Sequence, residues 1–148
     1  ILDAVQQLAQ PSERALDRLG VDTRYIRAQG AEGSGGGTIE ELIRGKPPLS
    51  FTDEFGVTWS MPKEDGLYHD ITYSPLSGAT TVADIESHPW PDGGDPTRFR
   101  GVREEALRTL ESTDKALVTG ISGVVFEFGW YLMSFEHFYR CLATQPTR

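Results

Sequence analysis

Cysteine is scarce in this sequence, and long uncharged stretches are missing. The single cysteine, Cys141, excludes an intrachain disulfide framework and a multi-cysteine zinc cluster within these 148 residues. No stretch reaches the roughly 18 to 20 uncharged residues of a membrane span. The first residues also lack the basic and apolar regions of a signal peptide. These absences predict a cytoplasmic protein that does not enter a membrane.

Basic side chains are also few relative to acidic ones. There are 14 Lys and Arg against 22 Asp and Glu, which gives a net charge of −8. Such a chain repels nucleic-acid phosphates and anionic lipid at long range, so we expect neither as a partner. With 38% apolar residues the length suits one domain with a core. Because the chain starts without methionine, at Ile1 inside a helical pattern, we expect it to be a piece of a longer protein.

The most informative stretch runs from Lys115 to Phe138 and joins a strand to an aromatic helix. The β-forming run Ala116–Thr119 predicts a buried strand, and apolar residues recur at helical spacing from Val124. A loop between a strand and a helix lies at the carboxyl end of the strand, where α/β proteins build their sites. The candidate substrate-binding residues in this region are Gly120, Ser122, Gly123, Phe126 and Glu127. A tight turn followed by core aromatics is the alternative interpretation.

The first part of the chain predicts a helix, a strand and a glycine-rich loop. Ser12 is a candidate N-cap for a helix that ends at Gly20. The stretch Val21–Ala28 alternates with period two, which predicts a strand with Val21, Thr23 and Tyr25 on one face. The run Gly30–Gly37 lacks the residues of a phosphate-binding loop, so it is read as a flexible connection before a helix capped by Thr38.

The middle of the chain predicts an antiparallel excursion and two capped helices. Phe51 to Tyr73 holds two alternating arms joined by MPKEDG. Thr81 caps a short helix that ends before Pro89-Trp90-Pro91, and Asp95-Pro96 opens a helix predicted to reach Ser112. Short strands alternating with long helices favour parallel β/α units.

Several segments in this order resemble the uroporphyrinogen decarboxylase superfamily over nearly the whole chain. They are LGVDTRYIRAQ, DEFGVTW, YHDI, HPWPD, GVREEALRTLESTD and ALVTGISGVVFEFGWYLMSFEHFYRCLATQP. The similarity is to the decarboxylase-like branch, which is related to corrinoid-dependent methyltransferases. It implies a (β/α)8 barrel, which needs about 250 residues. We therefore expect an α/β fold that forms roughly the N-terminal half of a barrel, a single partial domain over residues 1–148 with a β-hairpin excursion.

The resemblance also implies residue roles. Tyr131 matches a tyrosine that faces the substrate cavity in the family, which makes it the candidate catalytic residue. Arg27, at the end of the strand Val21–Ala28, is a further candidate for binding a substrate carboxylate. The family's decarboxylases carry an acid at this strand end that holds the pyrrole N–H groups, and this chain has none there. Glu127 is either a ligand contact or a residue that stabilises the helix N-terminus.

Two chemistries and one non-catalytic role follow from these expectations. The enzyme is either a porphyrinogen carboxyl-lyase without a cofactor, or a methyltransferase that moves a methyl group to or from a corrinoid, a thiol or a folate. The methyltransferase would use zinc and a corrinoid, with the metal ligands outside this chain. The expected partners are a small-molecule substrate, a corrinoid protein for methyl transfer, and a second copy in a homodimer. Alternatively, the chain is an inactive fragment or an assembly module that binds through the aromatics of Phe51–Tyr73.

Overall fold

A computed structural model describes residues 11–28, 49–62, 66–120 and 125–144. The elements are α1 Glu13–Arg18, β1 Thr23–Tyr25, β2 Ser50–Thr52, β3 Thr58–Ser60, β4 Asp70–Tyr73, α2 Val82–Glu86, a 3-10 helix Pro96–Phe99, α3 Val102–Ser112, β5 Ala116–Val118, α4 Val125–Met133 and α5 Phe135–Thr144. The chain divides into two compact units. Unit A holds the described residues of 49–91 and 125–144, and unit B holds those of 11–28 and 92–120. The fold is mixed α/β, and neither described sheet closes into a barrel.

Unit A is built on a three-stranded antiparallel sheet in the order β2-β3-β4. Phe51 lies opposite Trp59, and Trp59 lies opposite Ile71, so one face of the sheet is apolar. The other face carries hydroxyl pairs across the strands, with Ser50 and Ser60 Oγ atoms 2.9 Å apart. The antiparallel excursion predicted from the alternation is confirmed, and β2 extends it by a strand.

A tight turn between β2 and β3 is held by one carboxylate. Asp53 accepts hydrogen bonds from the backbone N–H groups of Phe55 at 2.9 Å and Val57 at 3.0 Å. Its second oxygen accepts from the Trp59 indole Nε1 at 2.8 Å. Gly56 sits in this turn with φ +81°, a conformation that favours glycine. The turn therefore fixes the position of the indole that enters the core.

The core of unit A forms where α4 packs on the apolar face of the sheet. Its buried members are Val57, Trp59, Leu76, Ala79 and Leu132. The backbone N–H of Leu76 donates to the Leu132 carbonyl over 2.8 Å. His137 Nε2 of α5 lies 2.7 Å from the Ala79 carbonyl, which ties the second helix to the same segment.

The segment after β4 confirms the predicted cap at Thr81. Thr81 and Asp84 form a capping box at the start of α2. The following His-Pro-Trp-Pro stretch is held by side-chain contacts, because His88 Nε2 lies 3.0 Å from the Phe55 carbonyl and Trp90 Nε1 donates to the Ile85 carbonyl at 2.9 Å. This motif therefore supports the Asp53 turn.

The aromatic helix predicted from Val124 onward is two helices in the structure. Ser134 separates α4 from α5 with φ +67°, which a non-glycine residue rarely adopts. The Ser134 carbonyl accepts from the Phe138 N–H at 3.0 Å, so α5 begins directly after the break. The helices pack closely at Gly129, where an added Cβ would clash with the Phe138 ring.

Unit B contains β1 and β5 as a parallel pair, with Thr23 opposite Ala116 and Tyr25 opposite Val118. Ser12 caps α1 as predicted. Arg24 is buried on β1 and is bound by the carboxylates of Glu13 and Asp17 on α1, each at 2.6 Å. The hydrogen bond that Arg24 donates to the Glu13 carboxylate is the main cause that raises the pKa of Arg24, and the pairing outweighs the effect of desolvation.

Two predicted elements of unit B differ from the structure. The helix expected over Asp95–Ser112 is a 3-10 helix, capped by Asp95 as predicted, followed by α3. Gly101 interrupts it with φ +76°. The strand expected to be buried is largely exposed, because Ala116 and Val118 face solvent and Leu117 is half-buried.

Several expectations fall outside the described residues. They concern the Gly30–Gly37 loop, the helix after Thr38, part of the MPKEDG connection, and the positions of Ser122 and Gly123. The single partial barrel over residues 1–148 stays a prediction. Among the helices described, none has the length and apolar character needed to cross a membrane.

Candidate functional site

The parallel pair in unit B brings two candidate residues to one edge of a sheet. The backbone N–H of Ile26 donates to the Val118 carbonyl at 2.9 Å, which continues the pairing beyond β1. Arg27 comes two residues after β1 ends at Tyr25, and Gly120 comes two residues after β5 ends at Val118. Because parallel strands end at the same edge, both candidates lie at the carboxyl edge of the β1–β5 sheet.

Tyr25 connects these two positions. Its hydroxyl donates to the Gly120 carbonyl over 3.3 Å, and the Arg27 guanidinium carbon lies 5.1 Å from the centre of its ring. Tyr25 and Arg27 are two residues apart and therefore point to the same side of the strand. A Cβ at Gly120 would lie 2.9 Å from the Tyr25 hydroxyl oxygen, so only glycine fits this approach without a shift. We define Tyr25, Arg27 and Gly120 as the carboxyl-edge cluster.

Charge is distributed unequally between the two edges of this sheet. At the amino edge, Lys115 Nζ lies 3.7 Å from Asp22 and 3.5 Å from Asp114. At the carboxyl edge, residues 26–28 and 119–120 contain Arg27 and no acid.

Tyr131, the candidate catalytic residue, lies in unit A beside the core. Its ring centre is 5.2 Å from that of Trp59 and 4.3 Å from that of Trp130, with edge contacts in both cases. The residue is half-buried and packs against the core cluster of unit A. These contacts fix the orientation of the phenol, and its catalytic role stays a prediction.

Phe126 and Glu127 both lie in the first turn of α4, and both are exposed. The Phe126 ring contacts Phe138 at 5.3 Å and Tyr139 at 5.8 Å between centres. Phe126 therefore helps to pack α4 against α5. The exposure of Glu127 at this helix start suits the helix-stabilising alternative.

The aromatic residues proposed for an assembly surface differ in how far they are buried. Trp59 is buried, and Phe51 and Phe55 pack against the core. Only Tyr68 and Tyr73 of this set are exposed, at 56% and 57%. The hairpin therefore uses most of its aromatic surface inside unit A, which leaves less for a partner.

The histidines and the cysteine make contacts within unit A. His69 is buried with its ring against Phe51 at 5.2 Å between centres. Cys141 is half-buried, and its Sγ lies 3.6 Å from His137 Nε2. Within the part of the chain that the structure describes, no three His, Cys, Asp or Glu side chains are grouped to hold a metal. These residues do not fit a zinc site.

Two carboxylates have lowered pKa values, and both cap helices. The pKa of Asp84 is lowered chiefly by the backbone N–H groups of Thr80 and Thr81. The pKa of Asp95 is lowered chiefly by the backbone N–H of Thr97. Donors that favour the ionised form explain both shifts, so these groups stabilise local structure.

The sequence did not indicate Tyr25 as a site residue. Its alternation placed Tyr25 on the face with Val21 and Thr23, but the contact with Gly120 spans 95 positions of the chain. The signal that was available is the spacing of Tyr25 and Arg27, since residues at i and i+2 of a strand share a face.

The chain matches no protein family in a scan of family profiles, and no curated protein or solved structure is significantly similar to it. The resemblance to the uroporphyrinogen decarboxylase superfamily therefore rests on the quoted segments and stays a prediction.

Proposed function

We propose that this chain is part of an enzyme of the uroporphyrinogen decarboxylase superfamily, acting on a small organic or tetrapyrrole-derived substrate. The observation that carries the proposal is the parallel pairing of β1 with β5, which brings Arg27 and Gly120 to one carboxyl edge. Barrel enzymes build their sites at this edge of their strands. The helix α3 precedes β5, as expected where helices connect parallel strands.

Two reactions remain for this edge, and the residues present favour one of them. Decarboxylation of a porphyrinogen acetate proceeds through a protonated pyrrole ring, whose positive charge needs a carboxylate nearby. The carboxyl edge of β1 offers Arg27 in place of such an acid. Methyl transfer does not need that carboxylate, so it is the favoured chemistry. Arg27 would then bind an anionic group of the substrate or of the methyl carrier.

The cofactors of methyl transfer would be bound mainly by residues outside this chain. The expected groups are a corrinoid, delivered by a partner protein, and zinc. Because the described residues do not fit zinc, no step of the reaction is assigned to them through the metal. Tyr131 is proposed to donate a hydrogen bond from its phenol to a carbonyl or anionic oxygen.

Turnover tests the proposal in two separate assays. The full-length protein that contains this chain is purified with zinc and incubated with uroporphyrinogen, and carboxylate loss is followed by chromatography and mass spectrometry. In parallel it is incubated with methylcobalamin and a thiol acceptor, and demethylation is followed by absorbance. The proposal expects turnover in one assay, with methyl transfer favoured. Folded protein that turns over neither substrate would contradict it.

Variants at the two candidate residues test the role proposed for each residue separately. Arg27→Gln removes the positive charge at the carboxyl edge, and Tyr131→Phe removes only a hydroxyl. We expect both to lower turnover by about tenfold or more. Arg18→Gln, at an exposed position of α1, removes the same charge elsewhere and should leave the rate unchanged.

Light scattering addresses the homodimer that we also propose. The expected molar mass is twice that of one chain. A monomer at the concentrations used in the turnover assays would contradict this part of the proposal.

A further inference from the structure

We propose that the exposed face of the α4–α5 helix pair is the surface through which two copies of this protein associate, about a two-fold axis perpendicular to α5. Four exposed apolar residues carry this surface, and we call them the aromatic patch: Phe126, Phe135, Tyr139 and Leu142. The inference rests on the homodimer proposed above and adds the surface that forms it. It does not depend on the reaction that the protein catalyses.

The aromatic patch is one continuous surface. The Phe135 and Tyr139 rings lie 4.4 Å apart between centres, and the Phe126 ring of α4 lies 5.8 Å from that of Tyr139. Leu142 follows Tyr139 by three residues, so the two side chains lie on the same face of α5. The break at Ser134 lets α5 fold back along α4, which brings the rings of both helices together.

The exposed area of the patch matches what a dimer interface needs. Phe126, Phe135, Tyr139 and Leu142 are 47%, 60%, 42% and 48% exposed. Since a large apolar side chain has about 200 Å² of surface, these fractions amount to about 400 Å² of apolar surface. A specific interface covers about 800 Å² on each partner, and rather more than half of it is apolar. The patch therefore supplies most of the apolar area that a two-fold dimer requires.

The charged residues beside the patch are self-complementary. Glu136 and Arg140 each come one position after a ring of the patch, and they form an ion pair one turn apart on α5. Both side chains are exposed, so both can reach a partner. When two copies of α5 meet antiparallel, as this axis requires, the acid of each copy lies toward the base of the other. A parallel arrangement would bring like charges together, so this pair favours a second copy in the antiparallel orientation.

Self-association of the full-length protein that contains this chain tests the surface. Sedimentation equilibrium measures the dimer dissociation constant of the wild type and of each variant. Phe135→Ala should weaken the dimer by about tenfold or more, because a two-fold interface loses the ring twice. Tyr73→Ala removes a similarly exposed ring, at 57%, from the hairpin and should change the constant by less than about twofold. A dimer weakened only by Tyr73→Ala, or by neither variant, would overturn the surface and retain the dimer.

Charge variants test the orientation without removing a ring. Glu136→Arg and Arg140→Glu each leave charges of one sign beside the patch, so each variant alone should dimerise about threefold or more weakly than the wild type. An equimolar mixture of the two should regain the wild-type affinity, because opposite charges then meet across the interface. A mixture as weak as either variant alone would overturn the antiparallel arrangement. Unfolding temperatures show that each variant is folded.

The outcomes separate this inference from the proposed enzyme. A dimer that depends on Phe135, in a protein without turnover, would reject the enzyme and retain the surface. A monomeric wild type that turns over substrate would reject the surface and retain the enzyme. A monomer in which Phe135→Ala lowers the unfolding temperature would place another part of the same chain over the patch, and a monomer that co-sediments with phosphatidylcholine vesicles would assign the patch to lipid. Either result would overturn a second copy as the occupant.

Discussion

Individual carboxylates organise much of the local structure of this chain. Asp53 accepts three hydrogen bonds within a single turn, and Asp84 and Asp95 accept those of two helix starts. The buried Arg24 side chain is likewise held by ion pairs with Glu13 and Asp17. The acidic side chains therefore hold turns and helix ends together as well as giving the chain its net negative charge.

We predict that Asp53→Ala destabilises the protein by about 2 to 3 kcal/mol, because it leaves the donors of Phe55, Val57 and Trp59 without their acceptor. Asp53→Asn keeps one acceptor oxygen and should cost less. Urea denaturation followed by tryptophan fluorescence measures both. Glu86→Ala, at an exposed position of α2, is the control and should change the free energy of unfolding by less than about 0.5 kcal/mol. Equal effects of the Asp53 and Glu86 variants on the free energy of unfolding would show that the hydrogen bonds to Asp53 do not stabilise the turn.

The lowered pKa of Asp84 predicts a pH-dependent contribution to stability. A carboxylate whose pKa is lower in the folded state stabilises the fold above its unfolded pKa of about 3.9, and this is lost as the pH falls through the folded pKa. Asp84→Asn should therefore be less stable than wild type at pH 7, with a difference that shrinks below about pH 4. Urea midpoints measured from pH 7 to pH 3 provide the test. A difference that stays constant over this range would mean that the charge of Asp84 does not stabilise α2.

Helix ends could be predicted from the sequence, and helix interruptions could not. Ser12, Thr81 and Asp95 cap helices through side-chain bonds to nearby backbone, which are visible in a local pattern. The breaks at Gly101 and Ser134 are single residues with positive φ inside stretches whose apolar periodicity continues on both sides, so the periodicity did not reveal them. The face of β1 that is buried also depends on α1, because Glu13 and Asp17 allow Arg24 to be buried.

The same distinction applies to the candidate site. Arg27 and Gly120 could be predicted from their positions after strands, since parallel pairing brings strand ends together. Tyr25 could not, because its role depends on a hydrogen bond to Gly120 and on the approach of Arg27 to its ring.

The contact between α4 and α5 gives a prediction at the scale of the elements. Gly129→Ala would place a methyl group against the Phe138 ring, and overpacking of this kind costs about 1 to 3 kcal/mol. Phe138→Leu removes the far end of the ring and so makes room for the added methyl group. Gly129→Ala should therefore lower the free energy of unfolding less in the Phe138→Leu background than in the wild type. A double-mutant cycle from urea denaturation measures this coupling. Additive effects would show that the two helices do not approach at Gly129.

Charge gives a prediction at the scale of the whole molecule. With a net charge of −8, the chain should not bind duplex DNA or RNA more tightly than about 100 μM at physiological salt. Fluorescence anisotropy with labelled duplexes measures this. Salt-sensitive binding in the low micromolar range would contradict the expectation that nucleic acid is not a partner.

The central claim is that the ligand site lies at the carboxyl edge of the β1–β5 sheet, and hydrogen exchange tests its location most directly. Exchange is measured by mass spectrometry with and without uroporphyrin I, and separately with cobalamin. The account predicts slower exchange in peptides covering residues 25–28 and 118–120 with one of these ligands, and no such change in Arg27→Gln. Slowing confined to the hairpin Phe51–Tyr73, or unchanged exchange at both strand ends, would contradict it.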